Sequence, residues 1–171
     1  MSDRLCLDFP TAPDLPAADF IHLAADLGLG RVSLLLAPVL GLPDYRLSAP
    51  GPERRAAQRA LRETGVRLDM AEPFCVAPDT VTADLPPLLD IAAELGARLV
   101  NLLARTPDLP RLGQQMGEIR AAARDRGLGI VTEISRTRHI GHAGPDRALY
   151  PHPRPANDHR TGCAAFLARG R

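Results

Sequence analysis

Four polar side chains, Asp8, Glu72, Asn101 and Glu133, stand at or next to the ends of short apolar runs of the chain. If those runs are parallel strands, the four side chains line the edge of the sheet where barrel enzymes build their sites. What is missing narrows the chemistry. All 21 basic residues are arginine, so Schiff-base catalysis, pyridoxal phosphate attachment and a P-loop lysine are excluded, since each needs a primary amine. Cys6, Cys75 and Cys163 are far apart with no C-x-x-C pair, and read as reduced thiols rather than a disulfide framework or a thiolate zinc site. The His139-Ile-Gly-His142 string spells the nucleotide-binding signature of class I tRNA synthetases. It lies late in the chain and runs into Ala-Gly-Pro, and the partner loop of that signature carries a lysine this chain lacks.

The elements that would position these residues repeat along the chain. A helix ending on glycine is followed by an apolar strand four times, at Gly30, Gly65, Gly96 and Gly127, with spacings of 35, 31 and 31 residues. Each interval is the length of one strand, one helix and two loops. The strands read as Arg31 to Leu36, Val66 to Glu72, Arg98 to Leu103 and Gly129 to Ile134, with an opening strand from Leu5 to Phe9. Between them, Phe20, Leu23, Ala24 and Leu27 keep helical spacing, as do Leu88, Ile91, Ala92 and Leu95, and Leu112, Met116, Ile119 and Ala123. The second helix, about residues 53 to 64, shows a face made mostly of alanine. His22, between Ile21 and Leu23, is expected to be structural. Alternation at this spacing predicts an α/β fold with a parallel sheet and right-handed crossovers. No glycine-rich phosphate loop follows the first strand, which favours a barrel over a dinucleotide-binding sheet. The expectation is a partial (βα)8 TIM barrel of about five strands and four helices over residues 1–135, followed by an irregular basic tail over 136–171.

Charge divides at the same place. Residues 1–135 hold 14 arginines against 18 acids, whereas residues 136–171 hold seven arginines against two aspartates. The acidic body gives no electrostatic reason to expect nucleic acid as a partner. No apolar run is long enough to span a membrane, and the opening residues carry acids where a signal peptide is apolar, so a soluble cytoplasmic protein is expected.

Taken together, Leu5-Cys-Leu-Asp8, Arg31-Val-Ser-Leu-Leu, Asp69-Met-Ala-Glu72-Pro-Phe, the Asp90 to Asn101 segment and Arg126-Gly-Leu-Gly-Ile-Val-Thr-Glu133 resemble the sugar phosphate isomerase/epimerase family, the xylose-isomerase-like barrels. The resemblance covers roughly residues 4 to 135. It implies a sugar or other hydroxy-ketone substrate and a divalent metal, Mn²⁺ or Mg²⁺. Glu133 matches the glutamate that closes the family's fifth strand, which ligates that metal and in ketose epimerases moves a proton. Such an ion takes hard oxygen ligands and acidifies the α-proton of a ketone. Glu72 and Asn101 match positions that line the family's substrate pocket, and Phe9 and Phe74 are candidate apolar faces for a sugar ring. The family's remaining ligands follow later strands, so the resemblance implies a barrel interrupted after its fifth strand. A non-catalytic half-barrel that forms a homodimer through its open sheet edge is the alternative. Dehydratases and zinc-dependent abasic-site endonucleases of the same barrel type are further ones, and the acidic body argues against the endonucleases.

Residues 136–171 carry four of the five histidines and the run Tyr150-Pro-His-Pro-Arg-Pro155. Three readings are open: a histidine-bearing segment that completes a metal site with Glu133, a disordered basic tail, or a shifted reading frame in GC-rich coding sequence. The frame-shift reading predicts an Asp-x-x-His and a late Glu at βα spacing in another frame past codon 135. Reading the nucleotide sequence in all three frames checks it, and finding no such pattern discards it.

Overall fold

Every helix of this fold must end abruptly enough for the chain to turn straight into a buried strand. Gly28, Gly65, Gly96 and Gly127 do this with left-handed backbones, at φ of 72°, 71°, 76° and 71°. The first of these is two residues earlier than the spacing predicts. Gly28, not Gly30, closes the first helix, and Gly30 already accepts a ladder hydrogen bond from Arg67 N–H.

The computed structural model describes residues 2, 4–37, 45–105 and 108–133. Among them, four parallel strands, β1 (Arg31–Leu35), β2 (Arg67–Val76), β3 (Leu99–Ala104) and β4 (Gly129–Thr132), lie side by side in chain order. The helices α1 (Ala17–Asp26), α2 (Pro52–Thr64), α3 (Pro86–Glu94) and α4 (Leu109–Arg124) alternate with them. Proline opens α2, α3 and α4 in the first turn, where its missing N–H costs nothing. The Asp108 side chain caps α4 by accepting from Arg111 N–H at 3.0 Å. The alanine face of α2 buries Ala57 and Ala60, and α2 packs mainly on α1. His22 is exposed on α1.

The opening strand is shorter than expected. Leu7 forms one parallel bridge to Val32, donating to Arg31 O and accepting from Ser33 N–H, and Ser2 bridges Leu29. Pairing ends there because Phe9 N–H, the next ladder donor, goes to Ser33 Oγ instead of a backbone carbonyl, and the chain coils into a 3-10 turn at Phe9–Thr11.

β2 is longer than expected. A proline after Glu72 predicts that the strand stops, yet β2 continues to Val76. Its register against β3 pairs Ala71 with Val100 and Phe74 with Leu102. Glu72 and Pro73 together therefore face the single residue Asn101, a bulge that absorbs the donor Pro73 lacks. A second register shift, between Val32 and Ser33 of β1, leaves Asp69 as the extra residue of β2 on that side.

The two faces of the sheet differ. Val32, Leu34, Val100 and Leu102 are fully buried in the core. On the opposite face, Ser33 follows Arg31, Asn101 follows Leu99, and Glu133 follows Gly129 and Val131 by the two-residue period of a strand. Arg31, Leu99, Gly129 and Val131 are only half-buried there. At one end of this face Asp69 accepts from Arg31 at 2.7 Å and from Arg98 at 2.9 and 3.2 Å, joining the starts of three strands. Hydrogen bonds from Arg98 and Arg31 hold the Asp69 carboxyl below the usual aspartate range. The stability it contributes is therefore present above that range and lost as pH falls.

The left-handed sites give a direct test of the fold. A Cβ added at Gly127 meets nothing within 4 Å, so Gly127→Ala carries only backbone strain. It is expected to lower unfolding free energy by about 1 kcal/mol, measured by the denaturant midpoint at unchanged slope.

Candidate functional site

Polar groups on the half-buried face converge near its middle. Glu72 is 7% exposed and Asn101 6%, and Asn101 Nδ2 donates to Glu72 Oε2 at 3.1 Å. Both lie within their strands rather than at the C-terminal ends where the sequence suggested them, because β2 runs on past the bulge and β3 reaches Ala104. Ser33, fully buried on β1, donates from Oγ to Asp8 Oδ1 at 2.5 Å and accepts from Phe9 N–H at 3.0 Å. Asp8 is exposed, at the point where the opening segment leaves β1.

These contacts set the electrostatics. Burial pushes the Glu72 carboxyl above the ordinary glutamate range, and the negative charge of Asp8 pushes the same way. The hydrogen bond from Asn101 pulls it back in part. Glu72 Oε1 is buried with no donor at all. Cys6 feels the same charges: burial of its thiol, with Asp69, Asp8 and Glu72 nearby, raises it to about 11. It stays a neutral thiol at physiological pH, not an activated nucleophile.

Glu133 follows β4 directly, is exposed, and donates its N–H to Leu102 O at 3.1 Å. It shares the face of Asn101, which pairs with Val131 two residues before it. Phe74 is 1% exposed and paired with Leu102 on the helix-covered face, so its ring is turned from this site, and Phe9 is buried in the core. Phe9 contributes through its backbone N–H instead. The structure thus brings Glu72 and Asn101 together and adds Asp8 and Ser33 to them. The importance of Ser33 was not readable from an apolar run that contains a single small hydroxyl. Among the described residues no three His, Cys, Asp or Glu side chains gather as metal ligands. No described helix is long and apolar enough to cross a membrane. The histidines of the tail lie outside the described residues.

This arrangement of a parallel sheet with helices on one face and polar groups on the other is that of a partial TIM barrel. Its likeness is to xylose-isomerase-like barrels. A xylose isomerase domain containing protein of Salmonella typhimurium superposes with a TM-score of 0.56 at 16% identity, over 77% of this chain and 50% of that one. A sugar phosphate isomerase/epimerase of Parabacteroides distasonis gives 0.54 at 14% identity, over 98% and 64%. A protein of Sinorhizobium meliloti gives 0.59 at 20%, over 75% and 49%. The chain spans about half the length of the Salmonella and Sinorhizobium proteins. No family model and no curated protein matches the sequence.

The raised carboxyl has a measurable consequence. A folded chain that holds the Glu72 proton more tightly than the unfolded chain gains stability below the ordinary glutamate value and loses it as pH rises through the folded value. Glu72→Gln, which keeps the shape without the charge, is expected to flatten this pH dependence and raise the melting temperature at pH 8 more than at pH 4. Equal effects at both pH values contradict the raised carboxyl.

Proposed function

We propose that this chain is a sugar isomerase or epimerase-like protein acting on a small hydroxy-ketone by proton transfer, with Glu133 as the base. The observation that supports this most is the position of Glu133 on a fold of this type. It follows β4 directly, on the face that also carries Asn101 and Glu72. A carboxylate there can take the α-proton of a ketose and return it to the same or the adjacent carbon. The amide of Asn101 and the carboxyl of Glu72 on the same face carry the chemistry to hydrogen-bond sugar hydroxyls. Metal ligation by Glu133 is implied by the family resemblance alone. Among the described residues no three His, Cys, Asp or Glu side chains gather around it as ligands.

A second reading has its own observation. All four residues of β4, the last strand of the described sheet, are half-buried, whereas five of the six residues of β3 are buried. A parallel edge that no described residue covers invites pairing with a second copy, which would make the chain a self-associating half-barrel.

Two measurements separate the readings. The full chain incubated with D-fructose in D₂O, with and without Mn²⁺, is expected to exchange the α-proton for deuterium, and Glu133→Gln to slow this on the order of 10²-fold. Size-exclusion chromatography reports the assembly. A dimer with no exchange under either condition favours the half-barrel and sinks the isomerase.

A further inference from the structure

The segments that lead into α1 and α2 enclose a cavity of about 300 Å³, at the low end of the range for small-molecule sites. None of its lining residues belongs to the Glu72 and Asn101 site. One wall is Tyr45, which is 6% exposed and whose hydroxyl is buried with no hydrogen-bond partner among the described residues. The backbone is left-handed at Arg46, with φ of 52°, and this turn leaves Tyr45 inside and Arg46 outside. Burial raises the Tyr45 phenol, so it stays a neutral O–H at physiological pH. The opposite wall includes Ala17 and Ala18, the first residues of α1. That helix has no side-chain cap, and its first ladder donor is Phe20 N–H, to Pro16 O at 2.9 Å. The N–H groups of Ala17 and Ala18 therefore have no acceptor in their own helix. Ala17 is itself buried. A buried donor without a partner is costly, and three such donors belong to residues that border one space.

The rest of the lining sets the class of ligand. Pro13, Leu15 and Ala56 give apolar walls, which call for a carbon body. Asp14, Arg46 and Glu53 are exposed and stand at the rim, two acids to one cation. A helix N-terminus favours negative charge, but Asp19 in the first turn already answers the α1 dipole, and the rim acids disfavour a second anion. Donors within and an acidic rim therefore select an uncharged acceptor oxygen. We propose that this cavity binds a small uncharged carbonyl compound, its oxygen taken by the Tyr45 hydroxyl and the opening amides of α1, and its carbon body lying against Leu15 and Ala56. The site is separate from the sheet face that carries Glu133, and it does not depend on the reading of Glu133 as a base.

The test uses the full chain labelled with ¹⁵N, titrated with acetophenone and followed by amide NMR, with benzoate and toluene in parallel. Acetophenone is expected to shift the Ala17 and Ala18 amides saturably, with a Kd on the order of 1 mM. Toluene, which lacks the oxygen, and benzoate, which carries a charge, are expected to bind more weakly. Tyr45→Phe is expected to weaken acetophenone binding on the order of tenfold. It should leave the unfolding midpoint no lower, because the hydroxyl it removes has no partner in the protein. Ala56→Leu, which fills the cavity, is expected to abolish the saturable shifts while circular dichroism stays unchanged. Toluene binding as tightly as acetophenone overturns the role of the donors, and tighter binding of benzoate overturns the uncharged class. A lower midpoint in Tyr45→Phe means that the protein itself satisfies the hydroxyl, which also overturns the proposal. Unchanged binding in Ala56→Leu, or no saturable shift with acetophenone in the unsubstituted chain, overturns the site.

Discussion

A carboxyl group inside a sheet must be given donors or a proton, and the half-buried face of this sheet is arranged around that requirement at Glu72. Asn101 reaches Glu72 from β3, and Ser33 on β1 reaches Asp8. Each is held in turn, Ser33 by the Phe9 amide and Asn101 by the β3 ladder. The opening segment is fixed by the Ser2 and Leu7 bridges, by the buried Leu7 and Phe9 side chains and by the Ser33 contacts.

The other face solves a different problem. Helices cover Val32, Leu34, Val100 and Leu102 completely, and this apolar burial, at about 25 cal/mol per Å², is the main source of stability. Because that face suffices to hold the sheet together, the polar face is free to carry groups that are poor for packing. At its N-terminal end the Asp69 cluster ties three strands by charge, and toward its C-terminal end lies the group proposed to handle protons.

Much of this was legible in the sequence. The glycine-terminated repeat gave the order of strands and helices, because helix and strand periods survive without knowledge of tertiary contacts. The apolar spacing of α3 matched its buried residues Leu88, Ile91 and Ala92. Less legible were features that depend on contacts between distant residues. Ser33 gains its role from Asp8, on a separate strand-like segment, and nothing in Arg31-Val-Ser-Leu-Leu marks it out. Leu27 keeps helical spacing but sits where α1 turns toward Gly28, so it is exposed. Phe74 looked like a pocket residue because it follows Glu72, yet the bulge turns it to the covered face. Turn chemistry at the first helix was also misplaced by two residues, since Leu-Gly-Leu-Gly offers two glycines and only the backbone decides between them.

The proline in β2 has a consequence beyond the kink it causes. In a parallel strand buried on one face, a slip of one residue would exchange the faces of every later side chain. Pro73 prevents that slip: it can stand only where no ladder donor is needed, which fixes the pairing of Phe74 with Leu102 and of Cys75 with Leu103. A residue that looks like a defect in the strand acts as a ruler for it, and the direction in which Glu72 points is measured from that mark.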